Sequence, residues 1–350
     1  MIKYPSTGQF RDAIKQVVSN AKYHNTPIPT ITFEGTVKLH GSNLSFIRPL
    51  VGDKSQIVTQ SRERIITVES DNAGSAVWGQ GNINILNSIF NEVSALFKDK
   101  FSADTPVQIV GEWCGGNIQK GVGLNQLPKM YVVFAIRIAE DEDANKHWLS
   151  SDLIKSIVGK YTKEDLFHTY QFPTWKVEVD FNRPDLAQNR LVELTELVEK
   201  RCPVADQLLG DKAVGELIGE GLVWTPVPNE GEMLQFINTR HKTKGEKHAV
   251  SKVKTIAAVD PEKFDNIEKF VDAVATVNRL NQGIDKLAEM GLEIDMKNMG
   301  EYMKWVMGDI AREEADTLFA SGLTMKEVNS KVANVARKHF IDHIDQLTFN

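Results

Sequence analysis

Residues 38–43 read Lys38-Leu39-His40-Gly41-Ser42-Asn43 and follow a run rich in β-branched and aromatic residues. That run predicts a strand from Thr32 to Lys38, and the glycine permits a tight turn directly after it. A second strand is predicted from Asn43 to Arg48. A lysine buried at such a turn can have its pKa lowered by desolvation and cationic neighbours, which leaves a neutral amine able to attack phosphorus.

The Lys-x-x-Gly spacing is not informative by itself, because it recurs elsewhere in the chain. Four other lysines have a glycine three positions later: Lys120, Lys212, Lys242 and Lys297. Lys38 is set apart by its position between two predicted strands. Taken alone, the hexapeptide is also compatible with a surface lysine that precedes a hairpin turn.

Three further segments place a carboxylate or an aromatic residue on a predicted strand. The run from Val107 to Lys120 is a strand that ends in Glu112, followed by a glycine-rich loop. Phe134 lies at the centre of an apolar strand from Tyr131 to Ile138. Glu220 stands at the start of a further predicted strand. Strand ends of this kind are common positions for functional side chains.

A concentration of positive charge follows the last of these strands. Between Gln235 and Lys254 the chain carries eight basic residues: Arg240, His241, Lys242, Lys244, Lys247, His248, Lys252 and Lys254. Several such side chains near one strand end suffice to neutralise a triphosphate and neighbouring backbone phosphates. The alternative is a solvated basic face without a ligand.

Together these segments resemble motifs I, III, IIIa, IV and V of the covalent nucleotidyltransferases, which comprise ATP- and NAD-dependent ligases and mRNA capping enzymes. The Gly-Glu-x-x-Gly-x-x-Ile-Gln-Lys run at 111–120 and the His-Gly-Ser-Asn form at 40–43 are similar to the RNA ligase 2 family of bacteriophages and RNA-editing ligases. The resemblance covers residues 30–250. It implies an ATP-dependent RNA ligase that joins 3′-hydroxyl and 5′-phosphate ends through lysyl-AMP on Lys38 and an adenylylated 5′-phosphate.

The resemblance also implies roles for individual residues. Glu112 would bind the ribose hydroxyls and Phe134 would stack on adenine, while Glu220 would orient the lysine or hold a hydrated Mg²⁺. Three further residues would contact AMP or take part in the phosphate-transfer steps: His40, Asn43 and Arg62. The alternatives are a solvated carboxylate for Glu112, core packing for Phe134 and structural hydrogen bonds for His40.

Two positions depart from the family pattern. Motif V normally offers two basic residues separated by one position, after an apolar strand. Aligning Phe236-Ile237 with that strand puts Asn238 in the first basic position and Arg240 in the second, with Lys242 and Lys244 as further sources of charge for the phosphates. The aspartate that commonly follows the motif IIIa aromatic is replaced by Ala135.

The order of predicted elements indicates two domains. Short β-rich runs alternate with helices as far as Lys254, after which helical periodicity dominates. Asp260 followed by Pro261 predicts a helix N-terminus. We therefore expect an α+β nucleotidyltransferase core over 1–255, ATP-grasp-like, with antiparallel sheets and flanking helices, and an all-helical domain over 256–350 that helps to grip the polynucleotide. The remaining predicted elements are a strand at 56–59 and helices at 9–21, 83–98, 152–157, 184–200, 298–319 and 325–347.

The bulk composition is that of an ordinary globular protein. The 350 residues are 41% hydrophobic and 25% charged, close to the average for soluble domains. The net charge of −6 argues against a protein that coats nucleic acid with uniform positive charge. Two cysteines, the lack of an apolar leader and the lack of an apolar run of roughly 20 residues favour a cytoplasmic protein without a membrane segment.

We expect a monomer whose ligands are ATP, Mg²⁺ and RNA with nicked or broken ends. The sequence has no P-loop or Rossmann glycine pattern, which disfavours those two modes of nucleotide binding. It has no Cys–His zinc spacing either, and no metal site formed by protein ligands is predicted. Two alternatives stay open on the sequence: a DNA or hybrid-strand ligase of the same superfamily, and a non-catalytic nucleic-acid-binding protein that retains the fold.

Overall fold

The computed structural model describes residues 1–71, 73–119, 121–140, 146–228, 233–234, 237–249 and 266–348. The chain forms two compact units, Met1–Gly245 and Glu246–Asn350. The expected boundary at residue 255 and the predicted helix start at Asp260 lie outside the described residues. None of the described helices combines the length and the apolar character needed to cross a bilayer.

The first unit contains all of the described strands and six helices. The strands are β1 (Gly8–Gln9), β2 (Thr30–Val37), β3 (Gly41–Pro49), β4 (Val58–Ser61), β5 (Pro106–Cys114), β6 (Met130–Ile138), β7 (Trp148–Leu149), β8 (Leu166–His168), β9 (Thr174–Asp180), β10 (Gly221–Pro226), β11 (Met233–Leu234) and β12 (His241–Lys244). The helices are α1 (Phe10–His24), α2 (Ser75–Gly81), α3 (Ile83–Phe97), α4 (Ser151–Val158), α5 (Asp185–Lys200) and α6 (Pro203–Leu209).

The strands form two sheets. The first sheet has the order β1-β12-β10-β2-β9, and the second has the order β11-β7-β6-β5-β3-β4 with β8 beside β6. All described pairs are antiparallel except β1 with β12 and β6 with β8. The expected α+β core of antiparallel sheets with flanking helices is therefore confirmed.

One face of the first sheet packs on helices. The ring of His241 on β12 lies 5.0 Å from that of Phe10 on α1 and 5.0 Å from that of Phe33 on β2, measured between centroids. Thr243, two residues further along β12, accepts a 2.7 Å hydrogen bond from the hydroxyl of Thr195 on α5. Because successive side chains of a strand point to opposite faces, Lys242 and Lys244 are directed to the other face, away from these helices.

The second sheet is covered by an apolar core. Side chains of β3, β5 and β6 pack against α2, α3 and α4, and the members of this core are almost fully buried. The strand predicted at 56–59 is displaced, because Asp53 caps a short helical turn at Lys54–Gln56 by accepting the amide of Ser55 at 2.9 Å. The observed β4 starts only after that turn, at Val58.

The second unit is all-helical over its described residues. Its helices are α7 (Ile267–Val274), α8 (Val277–Glu289), α9 (Met299–Glu313), α10 (Ala315–Ala320) and α11 (Met325–Thr348). One continuous helix was expected at 298–319, but the backbone breaks at Glu314. The Glu314 carboxylate turns inward to accept from Arg279 at 2.8 Å and from Thr317 at 3.0 Å, which explains the interruption.

Candidate active site

The turn between β2 and β3 brings Lys38 to the end of the first sheet. The backbone N–H of Lys38 donates to the carbonyl of Gly221 at 2.8 Å, which ties the turn to β10. A Cβ at Gly41 would lie 2.4 Å from the carbonyl oxygen of Trp113 and 2.7 Å from the Cβ of Cys114. Only glycine therefore allows β3 to approach β5 this closely at the turn.

A compact ionic cluster surrounds the Lys38 side chain. Its Nζ lies 2.7 Å from Oε2 of Glu220, and the Nδ1 of His40 lies 3.3 Å from the same oxygen. The other oxygen, Oε1, lies 2.9 Å from Nζ of Lys244. The Glu220 side chain is only 2% exposed, whereas that of Lys38 is 23% exposed. One buried carboxylate therefore holds two lysines and a histidine at the edge of the first sheet.

Strand pairing explains why Lys244 reaches Glu220. In the antiparallel pair of β10 and β12, Gly221 lies opposite Lys244 and Val223 lies opposite Lys242. Gly221 has φ +139, and a Cβ there would lie 2.1 Å from the carbonyl oxygen of Thr243. A glycine directly after Glu220 is therefore required for β12 to lie this close.

The charges of this cluster shift one another. Burial lowers the pKa of Lys38, but the carboxylates of Glu220 and Glu112 outweigh burial, so the pKa is raised above its ordinary value. Burial raises the pKa of Glu220, yet Lys244, Lys38 and His40 hold that pKa well below its usual range. The expected lowering of the Lys38 pKa is therefore wrong for the free protein, because two nearby carboxylates stabilise the ammonium ion.

Lys244 behaves in the opposite way. Burial lowers its pKa, and the positive charges of Lys38 and Lys242 lower it further, although Glu220 acts against them. Both lysines contact the Glu220 carboxylate, but the pKa of Lys38 is raised and that of Lys244 is lowered. A further anion, such as a phosphate, would relieve the repulsion among these cations.

The second sheet presents two side chains to the same region. Glu112 is the only residue of β5 after Pro106 that is not buried, and Phe134 is the only residue of β6 that is not buried. The register of β5 with β6 shifts between Val110 and Gly111, which leaves Phe134 unpaired in a β-bulge. Bulges of this kind redirect a side chain and are frequent beside active sites.

Two further residues carry polar atoms without a partner. Asn43 on β3 pairs with Glu112 across the sheet, and Arg62 follows β4 and lowers the pKa of Lys38 by its charge. The Oδ1 of Asn43 and the Nε of Arg62 are buried, and neither has a hydrogen bond to any residue that the structure describes. Unsatisfied buried polar atoms are costly, so a polar ligand is their natural partner.

The donor set fits a metal ion only through water and ligand oxygens. Among the described residues, no three acidic, histidine or cysteine side chains lie close enough to hold an ion. Glu220 and Glu112 supply negative charge near Lys38. Mg²⁺ usually keeps several waters and binds through one or two carboxylates and substrate phosphates, so these two glutamates fit an ion that arrives with a nucleotide.

The family of the chain can be identified by comparison with known protein families. A sequence model described as RNA ligase matches residues 31–254, well over half of the chain. The chain belongs to the RNA ligase family. No curated protein matches this family member in sequence.

Solved structures of RNA ligases from Naegleria gruberi show a distant similarity to this RNA ligase family member. A variant with ATP and Mn is 16% identical over 70% of this chain and 57% of that chain, with a TM-score of 0.42. The protein with PPi is 15% identical over 70% of this chain and 56% of that chain, with a TM-score of 0.44. The matched part spans little more than half of those chains.

Most of the site residues expected from the sequence meet in this RNA ligase fold. Lys38, His40 and Glu220 are in direct contact. Asn43 and Glu112 pair with each other on the second sheet, and Arg62, directly after β4, lies close enough for its charge to lower the pKa of Lys38. The structure therefore unites residues from both sheets around one amine.

The expected alignment of motif V requires correction. Asn238 lies in a short helical turn at Ile237–Thr239, not in a strand, and it is exposed. The guanidinium of Arg240 lies 4.5 Å from the ring centroid of Tyr4, outside the Lys38 cluster. The pair of basic residues one position apart on a strand is Lys242 and Lys244. The one-position spacing of Lys242 and Lys244 is also present in the sequence. Phe236, which the expected alignment placed on the strand, lies outside the described residues.

Proposed function

We propose that this RNA ligase family member is an ATP-dependent RNA ligase that joins a 3′-hydroxyl to a 5′-phosphate. Lys38 is its nucleophile and forms lysyl-AMP. The observation that carries the proposal is the contact of Lys38 Nζ with Glu220 at 2.7 Å, with Lys244 on the other oxygen of that carboxylate at 2.9 Å. This arrangement places an amine beside cations suited to bind phosphate.

The proposed reaction has three steps. The Lys38 amine loses a proton and attacks the α-phosphorus of ATP, so that a P–N bond forms, the bond to the bridging oxygen breaks and pyrophosphate leaves. An oxygen of an RNA 5′-phosphate then attacks the same phosphorus and breaks the P–N bond. Finally, the RNA 3′-hydroxyl loses its proton and attacks the phosphorus of the adenylylated 5′-phosphate. The bond from that phosphorus to the oxygen that bridges it to AMP breaks, and AMP leaves with this oxygen.

The chain's own residues would orient the amine and balance its charge. Glu220 holds the Lys38 side chain in place, and its lowered pKa keeps it ionised, so it acts as an electrostatic partner. Arg62 lowers the pKa of Lys38 and favours the neutral amine. Lys244 and Lys242 would receive phosphate oxygens as negative charge develops. A Mg²⁺ ion bound with ATP would supply additional positive charge.

Nucleotide recognition would come from the second sheet. Phe134 would stack on adenine from the bulge of β6, and Glu112 would accept hydrogen bonds from the ribose hydroxyls. The unpartnered atoms of Asn43 and Arg62 would bind polar groups of AMP or of the RNA phosphate. We also propose that the chain divides into a nucleotidyltransferase domain over 1–255 and a domain over 256–350 that helps to grip RNA.

The first step can be tested by label transfer. ATP labelled at the α-phosphate and Mg²⁺ are incubated with the protein, and acid-resistant label is read on a denaturing gel. We expect label on the wild type and none on Lys38→Ala. Lys212→Ala is the matched control, since Lys212 has the same Lys-x-x-Gly spacing but is exposed on the surface. Label that persists on Lys38→Ala would identify another nucleophile.

The substrate can be tested with sealing assays. Nicked duplex RNA, nicked RNA–DNA hybrid and nicked DNA, each with a 5′-phosphate, are offered to the labelled enzyme. We expect release of AMP and sealing with RNA at the nick. Sealing of DNA alone would replace the RNA proposal with a DNA ligase, and absence of label on the wild type would point to a non-catalytic binding protein.

A further inference from the structure

The N-terminal segment, defined here as residues 1–9, connects the two sheets of the first unit. At its start, Ile2 donates its N–H to Oε1 of Gln60 at 3.0 Å. The carbonyl of Ile2 accepts from Gln60 at 2.6 Å and from Gln108 at 3.0 Å. At its end, β1 pairs with β12, and Gly8 lies opposite His241. The segment therefore joins the β4–β5 side of the second sheet to the strand that carries Lys242 and Lys244.

Tyr4 is the central buried side chain of this segment. It is only 7% exposed. Its ring lies 5.3 Å from that of Phe134 at an interplanar angle of 62°, and 5.3 Å from that of Trp148 at 84°. Both are edge-to-face geometries, which are favourable for aromatic pairs. The guanidinium of Arg240 lies 4.5 Å from the Tyr4 ring centroid.

This packing matters for Phe134 because of the bulge. As the unpaired residue of β6, Phe134 lacks the cross-strand neighbour that would normally restrict its ring. Its lateral support comes from the cluster that contains Tyr4 and Trp148. An aromatic platform binds a flat base best when its orientation is set before the ligand arrives.

We propose that Tyr4 is a positioning residue for the nucleotide, because its ring holds Phe134 in the orientation that stacks on the base. This inference rests on the proposed function, in which Phe134 contacts adenine. Tyr4 itself does not touch the reacting atoms. Its removal should therefore weaken ATP binding and leave the chemical step nearly unchanged.

Arg240 has a supporting part in this arrangement. It is buried, and burial lowers the pKa of its guanidinium to about 9. Its placement over the Tyr4 ring is a cation–π contact, which gains strength where water is excluded. Arg240 would thus fix the Tyr4 ring from a second side, in place of the phosphate contact expected from the sequence.

The test measures the rate of lysyl-AMP formation against ATP concentration in single-turnover experiments. For Tyr4→Leu we expect the half-saturating ATP concentration to rise about tenfold, which corresponds to about 1.4 kcal/mol of binding. The maximal rate should stay within about twofold of wild type, because Tyr4 is expected to affect the binding of ATP equally in the ground state and in the transition state. Tyr4→Phe should match the wild type because it keeps the ring. Tyr23→Leu is the control, since Tyr23 is 86% exposed on α1.

A double-mutant cycle with Phe134 separates positioning from general destabilisation. In the Phe134→Leu background, Tyr4→Leu should change the half-saturating ATP concentration less than about twofold, because the two residues act through one contact. Equal effects of Tyr4→Leu in both backgrounds would overturn the proposal. So would a maximal rate that falls while the half-saturating concentration stays constant.

Two further outcomes are also decisive. If Tyr4→Leu does not fold, Tyr4→Met places a longer and more adaptable apolar side chain there without a ring, and it should show the same increase in half-saturating ATP. A folded Tyr4→Met with unchanged ATP dependence would overturn the proposal. If the wild type forms no lysyl-AMP, the proposed function itself fails and the role of Tyr4 in base stacking fails with it. Labelled wild type with an unaffected Tyr4→Leu refutes only the role of Tyr4.

Discussion

The Nζ of Lys38 and the Oε2 of Glu220 are 2.7 Å apart, although 182 positions separate the two residues in the sequence. Their contact depends on the turn after β2 and on the start of β10, which are tied by the hydrogen bond from Lys38 N–H to the Gly221 carbonyl. Backbone pairing therefore positions the Lys38 amine, and the Glu220 carboxylate stabilises its protonated form.

The first prediction concerns the pH dependence of lysyl-AMP formation. Glu220 raises the pKa of Lys38, so Glu220→Gln should lower the pKa of this lysine. The rate of lysyl-AMP formation, which increases with pH as the amine loses its proton, should then begin to increase at a lower pH. The maximal rate should fall on the order of a hundredfold, because the amine loses its orienting charge. The measurement is the single-turnover rate between acid and alkaline pH. Glu216→Gln is the control, and an unchanged profile in Glu220→Gln would contradict the electrostatic role.

The second prediction separates the observed basic pair from the alignment expected from the sequence. Lys244→Met should reduce lysyl-AMP formation on the order of a hundredfold, since it removes a preorganised cation from the Glu220 cluster. Asn238→Ala should change the rate less than about twofold, because Asn238 is exposed in a turn. Label transfer under single-turnover conditions compares the two. A larger loss in Asn238→Ala than in Lys244→Met would restore the original alignment.

The third prediction tests the glycine in the turn that follows Lys38. A Cβ at Gly41 would overlap the carbonyl oxygen of Trp113, so Gly41→Ala should destabilise the protein by about 1–3 kcal/mol through overpacking. Gly81→Ala is the control, because a Cβ at Gly81 meets nothing within 4 Å. Urea denaturation measures the free energy of unfolding. Equal stabilities of the two variants would show that β3 can move away from β5 without cost.

The fourth prediction concerns acid stability. Burial lowers the pKa of His241 from 6.5 to about 4. The unfolded chain binds a proton more readily, so this residue contributes stability above pH 6.5 and loses that contribution as the pH falls toward about 4. The loss is on the order of 3 kcal/mol.

His241→Leu should therefore lose less free energy of unfolding across that pH window than the wild type does. His24→Gln, at an exposed position, should follow the wild type. Denaturation at a series of pH values provides the measurement. Parallel curves for His241→Leu and the wild type would show that His241 does not titrate in this range.

The fifth prediction concerns the second unit. Arg279 is fully buried and donates to Asp309 at 3.0 Å and to Glu314 at 2.8 Å. Arg279→Met leaves the buried Glu314 without its cation and Asp309 with only the exposed Arg312, and it should cost roughly 3–5 kcal/mol. Arg312→Met also removes a partner of Asp309, but Arg312 is 59% exposed, so the cost should stay below about 1 kcal/mol. Hydrogen exchange of amides in α8 and α9 reports both effects locally.

Much of the fold could be predicted because its elements are encoded locally. The helices α1, α3, α4 and α5 follow from apolar residues at helical spacing, and they lie where expected with small shifts at their ends. The predicted strands at Thr32 and Tyr131 are also confirmed. The break at Glu314 could not be predicted, because it depends on a partner on another helix, Arg279.

In the candidate site, too, some features are encoded locally and others depend on distant parts of the chain. The carboxylates and the lysine could be proposed from the resemblance of their segments, in chain order, to known nucleotidyltransferase motifs, and that resemblance is a property of the sequence. The alignment expected a strand at Ile237, where the structure has a helical turn, because strand pairing is set by long-range contacts. The contact of Tyr4 with Phe134 could not be predicted, because a single tyrosine near an N-terminus carries no periodic signal.

The sequence by itself determined the family, the α+β class and the chemical groups available at the site, because side-chain chemistry and short-range periodicity are local. Only the tertiary structure decided that Lys38 is held as an ammonium ion by Glu220 and Glu112, since a pKa depends on burial and on charges from distant segments. It alone also placed Phe134 in a bulge beside Tyr4, because pairing register is a property of several strands at once.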